Sequence, residues 1–180
     1  MNTFEIVAVP EYAISGEVSS QLRILLEDCF PGWFEGRTYV KQLPHVRLLA
    51  MEGRTVVGQV AIDSRVINVG GAVVTIFGLI DLAVDPSKRG KRIGTMLLEE
   101  AERIACAYQR EFLVVMADRH SIYLKAGFRR VQPALTKLLA IEDRQSVALI
   151  DRDLSDCFLA KPLTERMWPA GMIDMLGYVF

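Results

Sequence analysis

Between residues 46 and 116 the hydrophobic period of the chain changes twice, and few folds accommodate that change. Residues 46–51 (VRLLAM) and 55–62 (TVVGQVAI) are apolar, strand-like runs around Glu52-Gly53-Arg54, a tight turn with glycine at its tip. Residues 65–69 and 72–77 flank Gly70-Gly71, a second hairpin signal, and the latter run continues through Gly78 into Leu79-Ile-Asp-Leu-Ala-Val84. From Ile93 to Tyr108 the period becomes helical. Ile93, Met96, Leu97, Ala101, Ile104, Ala105 and Tyr108 share one face, with Thr95, Glu99, Glu102 and Arg103 elsewhere. Phe112-Leu-Val-Val-Met116 then reads as a short buried strand. Strand, long helix, strand predicts one parallel crossover, while the two hairpins are antiparallel.

The flanks fit the same scheme. Residues 4–10 read as a first strand, and Val18, Leu22, Leu25, Leu26 and Cys29 form a helical stripe ended by Phe30-Pro-Gly-Trp33. Residues 119–126 hold one or two helical turns stopped by Gly127, and 128–141 and 147–159 read as strands. Trp33, Phe34 and Tyr39 either line a pocket or plug one end of the core. Glycine inside a long strand marks a bulge or a close approach, so an irregularity is expected between Gly78 and Asp81. With no repeat or linker, a single domain over residues 1–180 is expected, with a core at 1–141 and C-terminal strands and a tail at 142–180. Its class is α+β, a mixed, mainly antiparallel sheet flanked by helices.

Charge narrows the function. Lys88, Arg89, Lys91 and Arg92 crowd the loop before the long helix, in a chain whose net charge is −1. Nucleic acid and membrane surfaces draw on a broad basic excess, so neither is expected as a partner; a local cluster points to a local ligand. A helix N-terminus leaves backbone amides without partners and carries partial positive charge. Glycine lets a phosphate approach, and Lys or Arg adds charge-assisted hydrogen bonds. A solvated basic turn is the alternative, but the position between a buried strand and an amphipathic helix favours an anion cradle. The loop fits neither GxxxxGK[ST] nor GxGxxG. Asp85-Pro86 and Ser87 set its turn geometry. Cys29, Cys106, Cys157, His45 and His120 share no metal-ligand spacing, so no metal is expected. The start of the chain lacks a signal-peptide pattern and no run has the length of a membrane span, so a cytoplasmic location is expected.

Two segments carry a resemblance. Leu82-Ala-Val-Asp-Pro-Ser-Lys-Arg-Gly-Lys-Arg-Ile-Gly-Thr-Met-Leu-Leu98 resembles the acetyl-CoA signature of the GCN5-related N-acetyltransferases (GNAT), [QR]-x-x-G-x-[GA] entering a helix from a strand ending in L-x-V. Ile122-Tyr-Leu-Lys-Ala-Gly-Phe128 is similar to that family's second signature, Y-x-x-x-G-F. The resemblance implies the GNAT fold and acetyl-CoA as cofactor. It places the diphosphate against Arg89, Gly90, Lys91, Arg92, Ile93, Gly94 and Thr95, and the pantetheine along Leu82, Ala83 and Val84. The family has glycine where this chain has Arg92; a helical φ there would tolerate arginine, whose side chain either swings away or joins the phosphate contacts. In the tail, Met167-Trp-Pro-Ala-Gly-Met-Ile-Asp174 is similar to the Trp-Pro-Ala-Gly ending of the nodulation-factor N-acyltransferases, which Arg47-Leu-Leu-Ala50 and Val56-Val-Gly58 also fit. Trp168 itself is expected to anchor the tail on the core.

The chemistry implied by the resemblance is direct transfer of an acyl group from a thioester to an amine. The amine must shed a proton to attack, the carbonyl oxygen needs a donor, and the leaving thiolate benefits from an acid. Tyr123 matches the family's acid, with a core aromatic as the alternative. Asp81 is the best-placed carboxylate for a base, although strand alternation leaves its direction open. Asp118 and His120 either cap the short helix or face solvent, and Cys106 is expected on the core-facing side of the long helix. The expected function is an acetyl-CoA-dependent N-acetyltransferase acting on a small-molecule or peptide amine. Use of longer acyl thioesters and acetyl-CoA sensing without turnover are the alternatives. A homodimer is compatible with the sequence.

Overall fold

The computed structural model describes residues 4–180, and two long strands organise its backbone. β3 (Thr55–Val69) and β4 (Ala72–Val84) are sheet neighbours joined by Gly70 and Gly71, at φ +58° and +92°. The separate strands expected at 55–62 and 65–69 are one strand, because Asp63 and Ser64 continue the extended backbone without a turn former. The chain forms two units. One is built from the chain up to Asp63 and Ile80–Ala101, the other from Ser64–Leu79 and Glu102–Phe180.

In the first unit β1 (Glu5–Pro10) pairs antiparallel with β2 (Val46–Glu52), Glu5 opposite Met51 and Pro10 opposite Val46. β2 pairs antiparallel with the first half of β3, with a bulge at Ala50/Met51. Helix α1 (Gly16–Cys29) starts where the Ser15 side chain accepts from the Val18 amide at 3.2 Å, which satisfies one of the first-turn donors. It buries Leu22, Leu25 and Leu26 against Phe34, Leu49, Val56 and Ala83. Of the three aromatics noted in the sequence, Phe34 plugs this core while Trp33 is exposed. Helix α2 (Ile93–Ala107) buries Ile93, Leu97, Leu98 and Ala101 here. It approaches β3 so closely that a Cβ at Gly58 would lie 3.0 Å from Ile93 Cγ2 and 3.1 Å from the Ala83 carbonyl oxygen.

The second unit takes the end of β3 (from Ser64) and the start of β4 (to Leu79), in the strand order β6-β9-β5-β4-β3-β10-β7-β8, where β5 is Phe112–Met116, β6 Arg129–Arg130, β7 Leu135–Glu142, β8 Gln145–Asp153, β9 Phe158–Pro162 and β10 Ile173–Asp174. β4 and β5 are parallel from Ile76/Phe112 to Leu79/Val115, the expected crossover through α2. The two expected C-terminal strands are each broken. Pro133 cannot donate to a ladder, and the Asp153 carboxylate takes the Ser155 amide at 2.9 Å to make a turn before β9. Trp168 meets Phe112 and Phe158 edge-on at 5.0 and 5.6 Å, the anchor that the sequence suggests. Cys106 is exposed rather than core-facing, because it lies one residue, about 100° of helix, beyond the buried Ala105. Among the described residues no helix is long and apolar enough to cross a membrane.

Candidate active site

The end of β4 departs from regular strand geometry. Asp81 has φ +52°, a left-handed conformation in mid-strand, so the expected irregularity falls on the carboxylate itself. Its carbonyl accepts a hydrogen bond from the Gln59 side-chain amide. Gln59 is buried in β3 and its Oε1 accepts from Arg47 Nη1 at 3.1 Å. Arg47, 1% exposed, is held by Glu11 at 2.6 and 3.3 Å and by the Thr38 carbonyl at 2.7 Å. Burial pushes the Asp81 carboxyl up to about 6, with the Arg47 and Lys41 charges pulling the other way.

Beyond Asp81, Leu82, Ala83 and Val84 complete the strand, and Ala83 packs into the α1 core. The Asp85 amide donates to the Val57 carbonyl at 3.0 Å, pinning the exit from the strand. The Asp85 carboxylate accepts from the Ser87 amide and hydroxyl at 2.8 and 2.7 Å, which holds its pKa below the usual carboxylate range and shapes a 3₁₀ turn, Pro86–Lys88. The expected turn role of Asp85, Pro86 and Ser87 is the one observed.

The cationic loop then runs through Arg89, Gly90, Lys91 and Arg92, all exposed, into α2. Gly90 has φ +81°, which favours glycine. Arg92 has φ +64°, so the expectation of a helical φ is wrong: this is a left-handed position, the geometry for which glycine is the better residue. The first backbone hydrogen bond of α2 is Met96 N to Arg92 O, 3.0 Å, so the amides of Ile93, Gly94 and Thr95 precede the ladder. No acidic side chain lies in that first turn. The cations differ in their attachments. Lys88 pairs with Glu52 at 2.5 Å, and Arg92 lies 3.7 Å from Glu99. Arg89 folds back, its Nε 3.3 Å from the Val84 carbonyl and its Nη2 3.7 Å from Cys29 Sγ. The array concentrates positive potential around backbone donors, the physical requirement for binding a phosphorylated ligand.

Tyr123 belongs to the second unit, on the short helix α3 (Ser121–Lys125), where it is buried with its ring edge-on to Phe128 at 5.6 Å. His120, at the start of α3, makes no side-chain cap; its Nδ1 lies 2.8 Å from Arg130 Nη2. Among the described residues no group of His, Cys, Asp and Glu could hold a metal ion. Sequence reasoning passed over Gln59, Arg47 as a buried ion, and a pair in which the buried Asp63 carboxylate holds the His45 imidazole at 2.6 Å. The available signal was a polar residue inside each of two apolar strand runs.

A family model described as an acetyltransferase (GNAT) domain matches residues 12–131, two thirds of the chain. The chain belongs to the GNAT acetyltransferase family. It is thus an acyltransferase by family. The GNAT fold is shared with solved structures of low sequence identity. The GNAT family N-acetyltransferase YhbS from Escherichia coli, in complex with CoA, is 17% identical, with 96% of this chain and 91% of that one covered and a TM-score of 0.64. A GNAT family acetyltransferase from Brucella melitensis, in complex with acetyl-CoA, is 18% identical, with 96% of each chain covered and a TM-score of 0.62. An IAA acetyltransferase from Bacillus cereus is 21% identical, with 89% of this chain and 99% of that one covered and a TM-score of 0.55. A search of curated protein sequences finds no match.

Proposed function

We propose that this GNAT chain moves the acetyl group of acetyl-CoA to the amine of a small molecule or peptide, by direct attack in a ternary complex. The observation that carries the reading is the first turn of α2, with its leading amides, its lack of acidic side chains and its rim of exposed Arg89, Lys91 and Arg92. That chemistry fits a diphosphate. Relatives of the same fold crystallised with CoA and with acetyl-CoA support the same donor. Leu82, Ala83 and Val84 supply the backbone that would hold the pantetheine arm.

Bound acetyl-CoA supplies an activated thioester. Asp81 takes the proton released as the amine nitrogen bonds to the thioester carbon; with its acidity near 6, it is largely ionised at neutral pH yet basic enough to accept. By the resemblance of its segment to the family's second signature, Tyr123 is the acid candidate, a hydroxyl whose proton would pass to the sulfur as the carbon–sulfur bond breaks. Exchange with solvent resets both groups, leaving an amide and a thiol.

The test has two arms. Acetyl-CoA should raise the melting temperature of the protein, and Arg89→Ala with Arg92→Ala should weaken that binding. Thiol release across a panel of amines should show turnover, reduced in Tyr123→Phe with donor affinity kept. No thermal shift at saturating acetyl-CoA refutes donor binding. Binding without thiol release from any amine, or turnover untouched in Tyr123→Phe, refutes the catalytic assignment.

A further inference from the structure

A left-handed aspartate in mid-strand persists only when its surroundings over-determine it. Here the surroundings form a continuous buried chain: Glu11 to Arg47, Arg47 to Gln59, Gln59 to the Asp81 carbonyl. Each link fixes the next. The Glu11 carboxylate grips the guanidinium through Nε and Nη2, and the Thr38 carbonyl takes a second bond from Nη2, so the guanidinium plane has one orientation. Nη1 is thereby presented to Gln59 Oε1. Because that oxygen is committed to accepting, the amide nitrogen of Gln59 is committed to donating, and its target is Asp81. Arg47 and Gln59 each stand between apolar neighbours, Val46 and Leu48 or Gly58 and Val60, and both are fully buried, where a polar side chain with no task is a net cost.

We propose that Arg47 and Gln59 are positioning residues for Asp81: through them, Glu11 fixes the break in β4, and a guanidinium charge is brought to bear on the Asp81 carboxyl. The inference rests on the reading of Asp81 as the base. The relay makes the carboxylate a compromise between burial, which favours the neutral acid, and a buried cation whose own charge is partly offset by Glu11. Lys41 also acts on the carboxyl from the loop before β2, and the His45–Asp63 pair flanks the relay, two residues along β2 from Arg47 and two along β3 from its partner Ala61. Stabilising the ionised form by Arg47, and tuning Arg47 by Glu11, gives the site a handle on the pH at which it works.

Two charge changes in the relay should move Asp81 in opposite directions. In Glu11→Gln the guanidinium acts unopposed, so Asp81 becomes more acidic. In Glu11→Gln with Arg47→Met both buried charges leave together, and Asp81 becomes less acidic by on the order of one pH unit. The readouts are the carboxyl titration of Asp81 by carbon NMR, assigned by its loss in Asp81→Asn, and the acid limb of the kcat profile at saturating acetyl-CoA. Gln59→Leu, which leaves every charge in place, should lower kcat at least tenfold while the amine KM changes less. Opposite shifts with a matching acid limb support the relay. General loosening would shift both variants the same way. Shifts of one sign, no shift in either variant, or an unchanged kcat in Gln59→Leu overturns it; should the double variant fail to fold, Glu11→Gln and Gln59→Leu decide. Full turnover in Asp81→Asn would remove Asp81 as the base while the NMR shifts still judge the relay.

Discussion

Replacing Arg92 by glycine should make the protein more stable than replacing it by alanine, the reverse of their ranking inside a helix. The reason is the left-handed backbone at φ +64°. An L-residue there carries about 1–2 kcal/mol of strain, which glycine relieves and alanine retains. Glycine loses about 0.5–1 kcal/mol of that gain through the extra freedom of its unfolded chain. Taking the middle of each range, the difference left is about 0.75 kcal/mol in favour of glycine. For a chain of this size that is about 1–4 °C in melting temperature, readable by urea denaturation or a thermal scan. The arginine side chain contributes little of its own, since it is 76% exposed and its approach to Glu99 is a loose surface pair. Its charge also faces the positive end of a helix. Acetyl-CoA affinity measured on the same two variants separates the two roles of the side chain. If the guanidinium grips the diphosphate, both lose roughly tenfold or more, the scale of one charge-assisted hydrogen bond; if it swings away, both keep wild-type affinity. Alanine as stable as glycine would refute the left-handed geometry and the strain argument with it.

Two other outcomes follow from the same unit. Asp81→Asn should stabilise the protein at neutral pH. The folded carboxyl titrates near 6, above its ordinary value, so its favourable contribution is complete below about pH 4 and is lost as the pH rises through 6; denaturation midpoints of the variant and the parent should converge on acidification, and a gap that widens instead would contradict the burial argument. Gly58→Val should destabilise by about 1–3 kcal/mol, because even the first added carbon lies 3.0 Å from Ile93 and 3.1 Å from a backbone oxygen that cannot move aside; an unchanged urea midpoint would mean that α2 is not seated where described.

Local signals made much of this fold legible. The periodicity of residues 93–108 placed α2, glycine turns placed the hairpins, and the cationic loop emerged where strand gave way to helix. Conformation at single residues was not legible. Nothing local marks Arg92 as left-handed, since the strain is imposed by how the loop must enter the helix. Asp81 was visible as a carboxylate, but its character comes from Arg47 and Gln59, many residues earlier, and a pairing across strands leaves no spacing to read. The C-terminal strands were over-extended because their alternation continues through residues whose hydrogen bonds belong to turns.

The two tryptophans give the chain a pair of optical reporters without any label. Trp33 lies in the first unit and is 63% exposed, so its emission should be red and open to iodide quenching. Trp168 lies in the second, wedged between Phe112 and Phe158, and should emit further to the blue, shielded from the quencher. Loss of the shielded signal would time the release of the tail, while the accessible one keeps watch beside the α1 core.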